Sequence, residues 1–328
     1  MGNCNCDTNK QTTEQLDDLT HITSDTKKKS SSTQDMKASQ DKLQTISTKK
    51  LYKELPEDPN NTESQKKMNP LVQQTLNKPD RMTLPEIEFD GIGVYNGEWK
   101  NGKRDGQGIF KWADGGIYEG TWLDDKAHGQ GKLIHSDGDI YEGEWENDMA
   151  NGHGTYIHSS GAKYEGQWKN DFQCGEGKEV WPDGAVYVGS YDNGKKNGKG
   201  LITFADGSKY EGEFKDNNIH GYGEYHWKDG KKYKGNWISN KMHGKGITIW
   251  PDNKKYNGDY IEDKKHGFGE FEWPNGKKYV GMWENGKQHG KGILILPTGE
   301  KKEGLWEAGK RLKWLEDAKQ EEVGTQED

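Results

Sequence analysis

Apolar positions in the central part of the chain recur with a period of 23 residues. A glycine lies two residues, and an aromatic residue four residues, after each repeating tyrosine, as in Tyr118, Gly120 and Trp122. Alternation with period two predicts a β-strand whose tyrosine, glycine and aromatic residue share one face. The repeating tyrosines are Tyr95, Tyr118, Tyr141, Tyr164, Tyr187, Tyr210, Tyr233, Tyr256 and Tyr279, and a tenth unit aligns at Lys302.

A Gly-x-Gly pair follows in each of the nine tyrosine units and opens a second strand. Dipeptides such as Asn101-Gly102 and Asp114-Gly115 supply the positive φ that tight turns require. Each unit is therefore predicted to be one β-hairpin, in which the missing glycine Cβ leaves room for a flat indole. One hairpin is too small to be stable alone, so neighbouring units must stack. We expect an all-β, elongated single-layer array of about ten hairpins, roughly 90–100 Å long.

The composition agrees with a repetitive β architecture. Hydrophobic residues make up only 29% of the 328 residues, too few for the core of an ordinary globular enzyme. Yet the chain has 45 Gly, 13 Trp and 15 Tyr, and disordered chains are poor in aromatic residues. Simple disorder of the whole chain is therefore excluded.

The unit that begins at Tyr118 and ends at Gly131 resembles the MORN-repeat family, whose pattern is Tyr-x-Gly-x-Trp-x-x-Gly-x-x-x-Gly-x-Gly. The resemblance covers residues 90–306. It implies an elongated single-layer β-sheet that acts as a scaffold linked to membranes or to the cytoskeleton. Junctophilins, radial-spoke head proteins and plant phosphatidylinositol phosphate kinases are members of this family.

The two flanks differ from the array, which we place at residues 89–306. Residues 1–88 begin with a segment rich in Lys, Gln, Ser, Thr, Asn and Asp, and we expect a disordered arm, with a short helix over 45–55 as an open alternative. In residues 307–328, Leu312, Leu315 and Lys319 lie at helical spacing. We expect a short helix that caps the last hairpin, followed by an acidic tail.

The beginning of the chain carries a candidate lipidation signal. Met1-Gly2-Asn3-Cys4-Asn5-Cys6 places a glycine where N-myristoylation requires it, although Cys6 stands where Ser or Thr is favoured. Cys4 and Cys6 are candidate palmitoylation sites. The alternative is an ordinary terminus with two idle thiols. Two acyl signals make anchoring stable, so the sequence predicts attachment to a membrane.

Departures from the repeat pattern indicate where a partner protein binds, because residues that follow the pattern serve stability. They cluster between about 135 and 191. His135 and His158 replace a second-strand aromatic residue, Cys174 and Glu179 follow, and Tyr191 replaces a first-strand Trp. Neutral drift in a tolerant array is the alternative explanation.

A second candidate surface lies on the strand face opposite the aromatic residues. Ile247 and Ile249 pair there by period two, as do Ile293 and Ile295. Exposed isoleucines predict self-association, for example as a homodimer, and packing beneath the capping helix or the arm is the alternative.

Several functions are disfavoured. The formal net charge is −8, with no broad basic field for nucleic acid. Histidines recur at one repeat position, but equivalent positions lie roughly 9–10 Å apart, too far to share a metal ion. No nucleophile or phosphate-loop motif is present, so we expect neither a cofactor nor catalysis.

The leading interpretation is a cytoplasmic scaffold that binds protein partners and is tethered to a membrane by acylation. A cytoskeletal or ciliary component without a lipid anchor is the first alternative. A phospholipid-binding module is the second.

Overall fold

The computed structural model describes residues 68–315, which form one open antiparallel sheet of 22 strands preceded by a short helix. Each strand from β3 onward pairs with the next along the chain. The all-β single-layer array expected from the sequence is therefore confirmed. No helix within this range is long and apolar enough to cross a membrane.

The elements have the following bounds. The helix is α1 (Pro70–Gln73), and the strands are β1 (Met82–Thr83), β2 (Ile87–Phe89), β3 (Gly93–Lys100), β4 (Lys103–Trp112), β5 (Ile117–Leu123), β6 (Lys126–Ile134), β7 (Ile140–Glu146), β8 (Met149–Ile157), β9 (Lys163–Lys169), β10 (Phe172–Val180), β11 (Val186–Asp192), β12 (Lys195–Thr203), β13 (Lys209–Lys215), β14 (Asn218–His226), β15 (Lys232–Ile238), β16 (Lys241–Ile249), β17 (Lys255–Ile261), β18 (Lys264–Glu272), β19 (Lys278–Glu284), β20 (Lys287–Ile295), β21 (Lys301–Glu307) and β22 (Lys310–Trp314).

Two series of turns define the two long rims of the sheet. The first turn of each unit joins its two strands, as β3 is joined to β4, and the second turn leads to the next unit, as from β4 to β5. Because successive strands are antiparallel, all first turns lie along one rim and all second turns along the other. We call these the first-turn rim and the second-turn rim. The aromatic face is the inner face, and the opposite one is the outer face.

The register places glycines opposite glycines across the whole array. Gly120 pairs with Gly131 on the next strand, and Gly131 pairs with Gly143 on the one after. A Cβ atom added to Gly131 would lie 2.3 Å from the hydroxyl oxygen of Tyr118. The glycine row therefore makes room for the tyrosine rings, which lie flat along the strands, and not for the indoles as the sequence suggested.

The indoles fill the space between units. The ring of Tyr118 is perpendicular to that of Trp122 in its own unit, at 5.0 Å, and to that of Trp145 in the next, at 5.3 Å. The Trp122 Nε1 donates a hydrogen bond of 3.2 Å to the carbonyl oxygen of Gly108 in the preceding unit. The Tyr118 hydroxyl donates to the carbonyl oxygen of Thr121 at 3.0 Å. The polar atoms of these two rings are thus satisfied while the rings bury each other.

The two glycines of each Gly-x-Gly pair have different tasks. Gly129, the first of its pair, has φ of +65° and lies where the β5–β6 register shifts between Gly120 and Trp122. This is a β-bulge, whose left-handed backbone favours glycine. Gly131, the second, clears the tyrosine ring. The bulge twists each hairpin, and its place in every unit explains why the pattern recurs.

The arm before the array is ordered over residues 68–88, so the expectation of disorder is wrong for that stretch. Ile87 lies opposite Tyr95 and is buried, which gives the first tyrosine the neighbour that a preceding unit would supply. The Thr75 hydroxyl accepts a hydrogen bond from the backbone N–H of Gly102, at 2.9 Å. Residues 1–67, including the alternative helix at 45–55, lie outside the described residues.

The other end of the array is closed by a strand where the sequence predicted a helix. Residues 310–314 form β22, which pairs with β21 after a turn at Ala308-Gly309, where both residues have positive φ. Trp314 packs against Trp306 at 6.1 Å, and this contact favours a tenth hairpin over a helix. The helix predicted from residue 307 is therefore wrong for 310–314. Residues 316–328 lie outside the described part.

Candidate binding surfaces

The inner face is closed by its own side chains. The nine repeating tyrosines are at most 2% exposed, and burial raises the pKa of Tyr279 to about 12. The surface depression of about 150 Å³ that is lined by polar side chains of β17, β18 and β19 lies on the opposite, outer face. Within residues 68–315, no group of three or more His, Cys, Asp or Glu residues could hold a metal ion. Binding surfaces must therefore be sought on the outer face and the rims.

Two of the residues expected to contact a partner, Glu179 and Tyr191, lie inside the core. Glu179 is 1% exposed, and its carboxylate pairs with the ammonium group of Lys196, which is also buried. The Tyr191 hydroxyl donates to Glu179 Oε2 at 3.1 Å. The Lys196 Nζ lies 5.0 Å from the ring centres of both Trp181 and Tyr187. These groups form a buried ion pair among aromatic rings and do not reach a partner.

The sequence did not reveal the lysine of this pair. Lys196 stands 17 positions after Glu179 and looks like any surface lysine of the repeat. Its repeat position holds apolar residues in four units (Ala127, Ala150, Ile219 and Met242) and polar or charged residues in the others (Arg104, Gln173, Lys265 and Gln288). Lysine at this position is therefore not by itself a signal of burial.

His135 and His158 lie at the second-turn rim, where each is half-buried. The His158 Nδ1 accepts a hydrogen bond from the backbone N–H of Ser160 at 3.0 Å. Asp139 in the preceding turn accepts hydrogen bonds from the Tyr156 hydroxyl and from the backbone N–H of Ser159. Burial opposes ionisation of Asp139, but these bonds outweigh it and lower the pKa of the carboxyl. The two histidines belong to a polar stretch of this rim.

Cys174 lies away from both the histidines and the buried pair. It is half-buried near the start of β10, opposite Gln167, close to the first-turn rim. Burial raises the pKa of its thiol, which disfavours the reactive thiolate. The five residues expected to form one patch are thus separated. The two histidines lie at the second-turn rim, Cys174 lies near the first-turn rim, and Glu179 and Tyr191 lie in the core.

The four isoleucines predicted to self-associate are on the outer face, as the period-two pattern required. Ile249 is exposed and lies between Lys232 and Lys255 on the neighbouring strands. Ile295 lies between Lys278 and Lys301 in the same way. Strand β18, with Glu270 and Glu272, separates the Ile247–Ile249 pair from the Ile293–Ile295 pair. They are two small apolar patches, each bordered by charges.

A longer apolar surface was missed in the sequence. Ile117, Ile134, Ile140 and Ile157 lie opposite one another on the four adjacent strands β5 to β8. We call this outer-face row the isoleucine ribbon. The sequence feature that could have revealed the ribbon is the repeat spacing, because Ile117 and Ile140 are 23 residues apart, as are Ile134 and Ile157.

The charge of the second-turn rim also changes along the array, a feature hidden by the near-neutral total. The five turns at 112–117, 135–140, 158–163, 181–186 and 204–209 hold two lysines and five aspartates. The three turns at 227–232, 250–255 and 273–278 hold seven lysines and two aspartates. Equivalent places in one fold therefore carry opposite charge.

The fold and its closed inner face define a tandem β-hairpin repeat scaffold. The MORN repeat model matches nine consecutive segments, from 95–117 to 279–301, which is more than half of the chain. The chain therefore belongs to the MORN-repeat family. No curated protein matches it.

Likenesses to solved structures are weak. A mutant TCP10 domain of Danio rerio CPAP is 14% identical, with 63% of this chain and 98% of that chain covered at a TM-score of 0.25. The SAS-4 (dCPAP) TCP domain of Drosophila melanogaster, in complex with a proline-rich motif of Ana2 (dSTIL), is 15% identical, with 67% and 88% covered at 0.22. A streptogramin B lyase is 12% identical, with 71% and 86% covered at 0.15. Scores this low carry no argument about function.

Proposed function

We propose that this MORN-repeat scaffold is non-catalytic, binds protein partners on its outer face and rims, and is tethered to the cytoplasmic side of a membrane by acylation. The observation that carries the proposal is that the two faces differ in role: the inner face is used for packing, and the outer face is available for binding. The tyrosines, indoles and glycines of the inner face are used in packing against one another, as the buried tyrosine row demonstrates. Apart from core substitutions such as the Glu179–Lys196 pair, the residues that differ between units are presented on the outer face and the rims.

The outer face supports protein binding. The isoleucine ribbon crosses four strands, and Ile157 at its end is 38% exposed. Beside it stand charged residues such as Glu119, Lys132 and Glu142 in the next row of the same face. An apolar centre bordered by charges is the arrangement that protein interfaces use. The ribbon is the part of this surface best suited to a protein.

The tether rests on Gly2, Cys4 and Cys6, which lie outside the described residues. A single myristoyl chain binds membranes only marginally, with an association constant of about 10⁴ M⁻¹. A palmitoyl chain on Cys4 or Cys6 would supply the second signal that stable anchoring needs. The array would then be held near the membrane by about 60 residues of arm, far enough to leave its outer face accessible.

Fractionation of the full-length chain in cells tests the tether. Gly2→Ala removes the myristoylation site, and Cys4→Ser with Cys6→Ser removes the palmitoylation sites, so each should move the protein from the membrane to the soluble fraction. Asn3→Ala is the matched control and should stay membrane-bound. Equal membrane attachment of Gly2→Ala and Asn3→Ala contradicts the tether. Wild-type protein that sediments only with the cytoskeleton favours the unanchored cytoskeletal or ciliary alternative.

A matched pair of outer-face variants tests partner binding. Ile140→Lys interrupts the isoleucine ribbon, whereas Ile249→Lys changes an exposed isoleucine that already lies between two lysines. Quantitative comparison of proteins recovered with each variant should show a set lost only with Ile140→Lys. Sedimentation of the full chain at micromolar concentration adds the oligomeric state, and a strict monomer excludes the homodimer. Recovery of the same proteins with both variants would move the partner surface away from the ribbon.

A further inference from the structure

The three lysine-rich turns of the second-turn rim form one continuous basic surface. We call this surface the basic rim, and it consists of Lys228, Lys231, Lys232, Lys254, Lys255, Lys277 and Lys278. Asp229 and Asp252 lie within it, and Lys254 contacts Asp252 at 3.0 Å. Lys278 contacts Glu270 at 3.1 Å and Glu272 at 3.3 Å on the outer face. Seven lysines stand against these four acids, so the net charge of this surface is positive.

Indoles lie beneath the charges of the basic rim. Trp227, Trp250 and Trp273 occupy the same repeat position and are half-buried. The Lys231 Nζ lies 4.7 Å from the ring centre of Trp227, and the Lys277 Nζ lies 5.0 Å from that of Trp273. Lysine stems held against rings keep their ammonium groups at the surface with less freedom to lose on binding. The rim is therefore suited to an acidic peptide that brings both charge and apolar contact.

The course of the chain brings such a peptide to this rim. Strand β22 runs from the first-turn rim toward the second-turn rim, and the backbone N–H of Leu315 still donates to the carbonyl oxygen of Glu303 at 2.9 Å. Residues 316–328 continue from that point. They contain Glu316, Asp317, Glu321, Glu322, Glu327 and Asp328 against a single lysine, Lys319.

The distances allow contact within one molecule. Trp273 lies between β18 and β19, three to four strands from β22, or roughly 15–20 Å at the usual strand spacing. Trp227 is seven to eight strands away, or roughly 34–38 Å. Thirteen extended residues span up to about 43–47 Å, so the acidic segment can follow the whole basic rim. Tethering at this range also raises its effective concentration to about millimolar.

We propose that the acidic segment 316–328 binds the basic rim of its own chain. The charges are opposite, and the segment begins at the correct rim. The five turns from 112–117 to 204–209 carry a net negative charge that repels the segment, and the turn at 296–301, which holds Glu300 and Lys301, is neutral. Exposed ion pairs are weak individually and are screened by salt, so the complex is salt-sensitive and can be displaced. A partner with a more acidic segment would compete for the same lysines.

Carbodiimide cross-linking of the full-length chain tests the contact directly. The reagent activates a carboxyl group, a lysine amine displaces it to form an amide, and the carbodiimide leaves as a urea. Lys241, Lys264 and Lys287 lie at the first-turn rim and provide a matched control set. Mass spectrometry should find cross-links from 316–328 to Lys231, Lys254 and Lys277 that are at least about fivefold more abundant than cross-links to this control set. A Debye length of about 3 Å in 1 M NaCl should remove this preference. An equal mixture of ¹⁴N- and ¹⁵N-labelled protein separates links within a chain from links between chains.

Two full-length variants complete the test. In the wild type, the acidic segment should protect the rim indoles from acrylamide quenching at low salt and release them in 1 M NaCl. The Lys231→Gln, Lys254→Gln and Lys277→Gln triple variant should lose this salt-dependent protection, whatever the loss of the lysines themselves does to quenching. The Lys241→Gln, Lys264→Gln and Lys287→Gln triple variant should keep it. Cross-links spread evenly over both lysine sets, or found only between chains, would overturn the proposal. A second outcome would also overturn it. In that outcome, phosphatidylserine vesicles protect the rim indoles from quenching, and the acidic segment forms no cross-link to the basic rim.

Discussion

The stretch from Tyr95 to Lys209 and the stretch from Tyr210 to Lys278 have the same core but opposite charge on the second-turn rim. In both, a tyrosine ring lies over a glycine of the partner strand, at Gly131 in the first and at Gly246 in the second. The turn residues change from aspartate-rich to lysine-rich. The hairpin core is satisfied within each unit and its neighbours, so the turns are free to carry recognition without cost to folding.

Alkaline unfolding tests whether the two stretches share one core, and it should give the largest change in stability. Burial raises the pKa of Tyr118 in the first stretch and that of Tyr256 in the second above the ordinary value, and it raises the pKa of Tyr279, just beyond the second stretch, to about 12. An unfolded tyrosine ionises near pH 10, so the stabilisation is complete below pH 10 and declines as the pH rises to 12 and beyond, by up to about 1.4 kcal/mol per pH unit for each tyrosine. Urea unfolding between pH 8 and 12 should show both stretches losing stability together. Selective loss of one stretch, measured by hydrogen exchange, would show that the cores differ.

The buried ion pair is the exception inside the first stretch, and its removal has the next largest effect. Lys196→Met leaves the Glu179 carboxylate buried without its cation, which should cost about 3–5 kcal/mol of unfolding free energy. Adding Glu179→Leu should restore most of that loss, because Leu133 and Met242 occupy these two repeat positions in other units. Urea denaturation measures both variants. A double variant as unstable as the single one would mean that the pair is needed for more than charge compensation.

The sequence predicted the repeat well because every unit aligns with the others, so strand positions, turns and the inner face could be read nine times over. It failed where a residue's environment depends on a neighbour outside its own unit. Nothing local in the sequence marks the contact of Lys196 with Glu179. Residues 310–314 have helical spacing, yet β21 offers them a strand partner and Trp306 a ring to pack on. The ordered 68–88 segment lacks the repeat pattern because it caps the array instead of continuing it.

Matched glycine substitutions sharpen the claim of a common core. Gly131→Ala and Gly246→Ala would each place a methyl group at about the same distance from a tyrosine hydroxyl, 2.3 Å and 2.4 Å respectively. Each should cost about 1–3 kcal/mol, the usual penalty for overpacking. Gly116→Ala is the control, because Ala162 and Ala185 already occupy its repeat position. Thermal unfolding should rank the two core variants together and well below the control, and a large difference between them would contradict a shared core.

The smallest effect concerns the two histidines of the acidic stretch of the rim. A tryptophan at their repeat position packs on the side chain two residues earlier, as Trp112 does on Phe110 at 4.8 Å. That side chain is the ring of Tyr156 for residue 158 and the aliphatic Leu133 for residue 135. His135→Trp and His158→Trp together should therefore preserve stability or raise it by about 0.5–1 kcal/mol, the value of an aromatic contact less the hydrogen bond that His158 makes with Ser160. Differential scanning calorimetry checks the stability.

The same double variant separates packing from recognition at this rim. If the histidines contribute to partner binding, the folded double variant should recover less of a partner from cell extract than the wild type does. Phe204→Trp is the matched control, since it changes one aromatic residue for another at the same repeat position. Both predictions depend on the rim being free to vary while the core is constant. A well-folded double variant that recovers its partners as fully as the control would place recognition elsewhere, with the isoleucine ribbon as the next surface to examine.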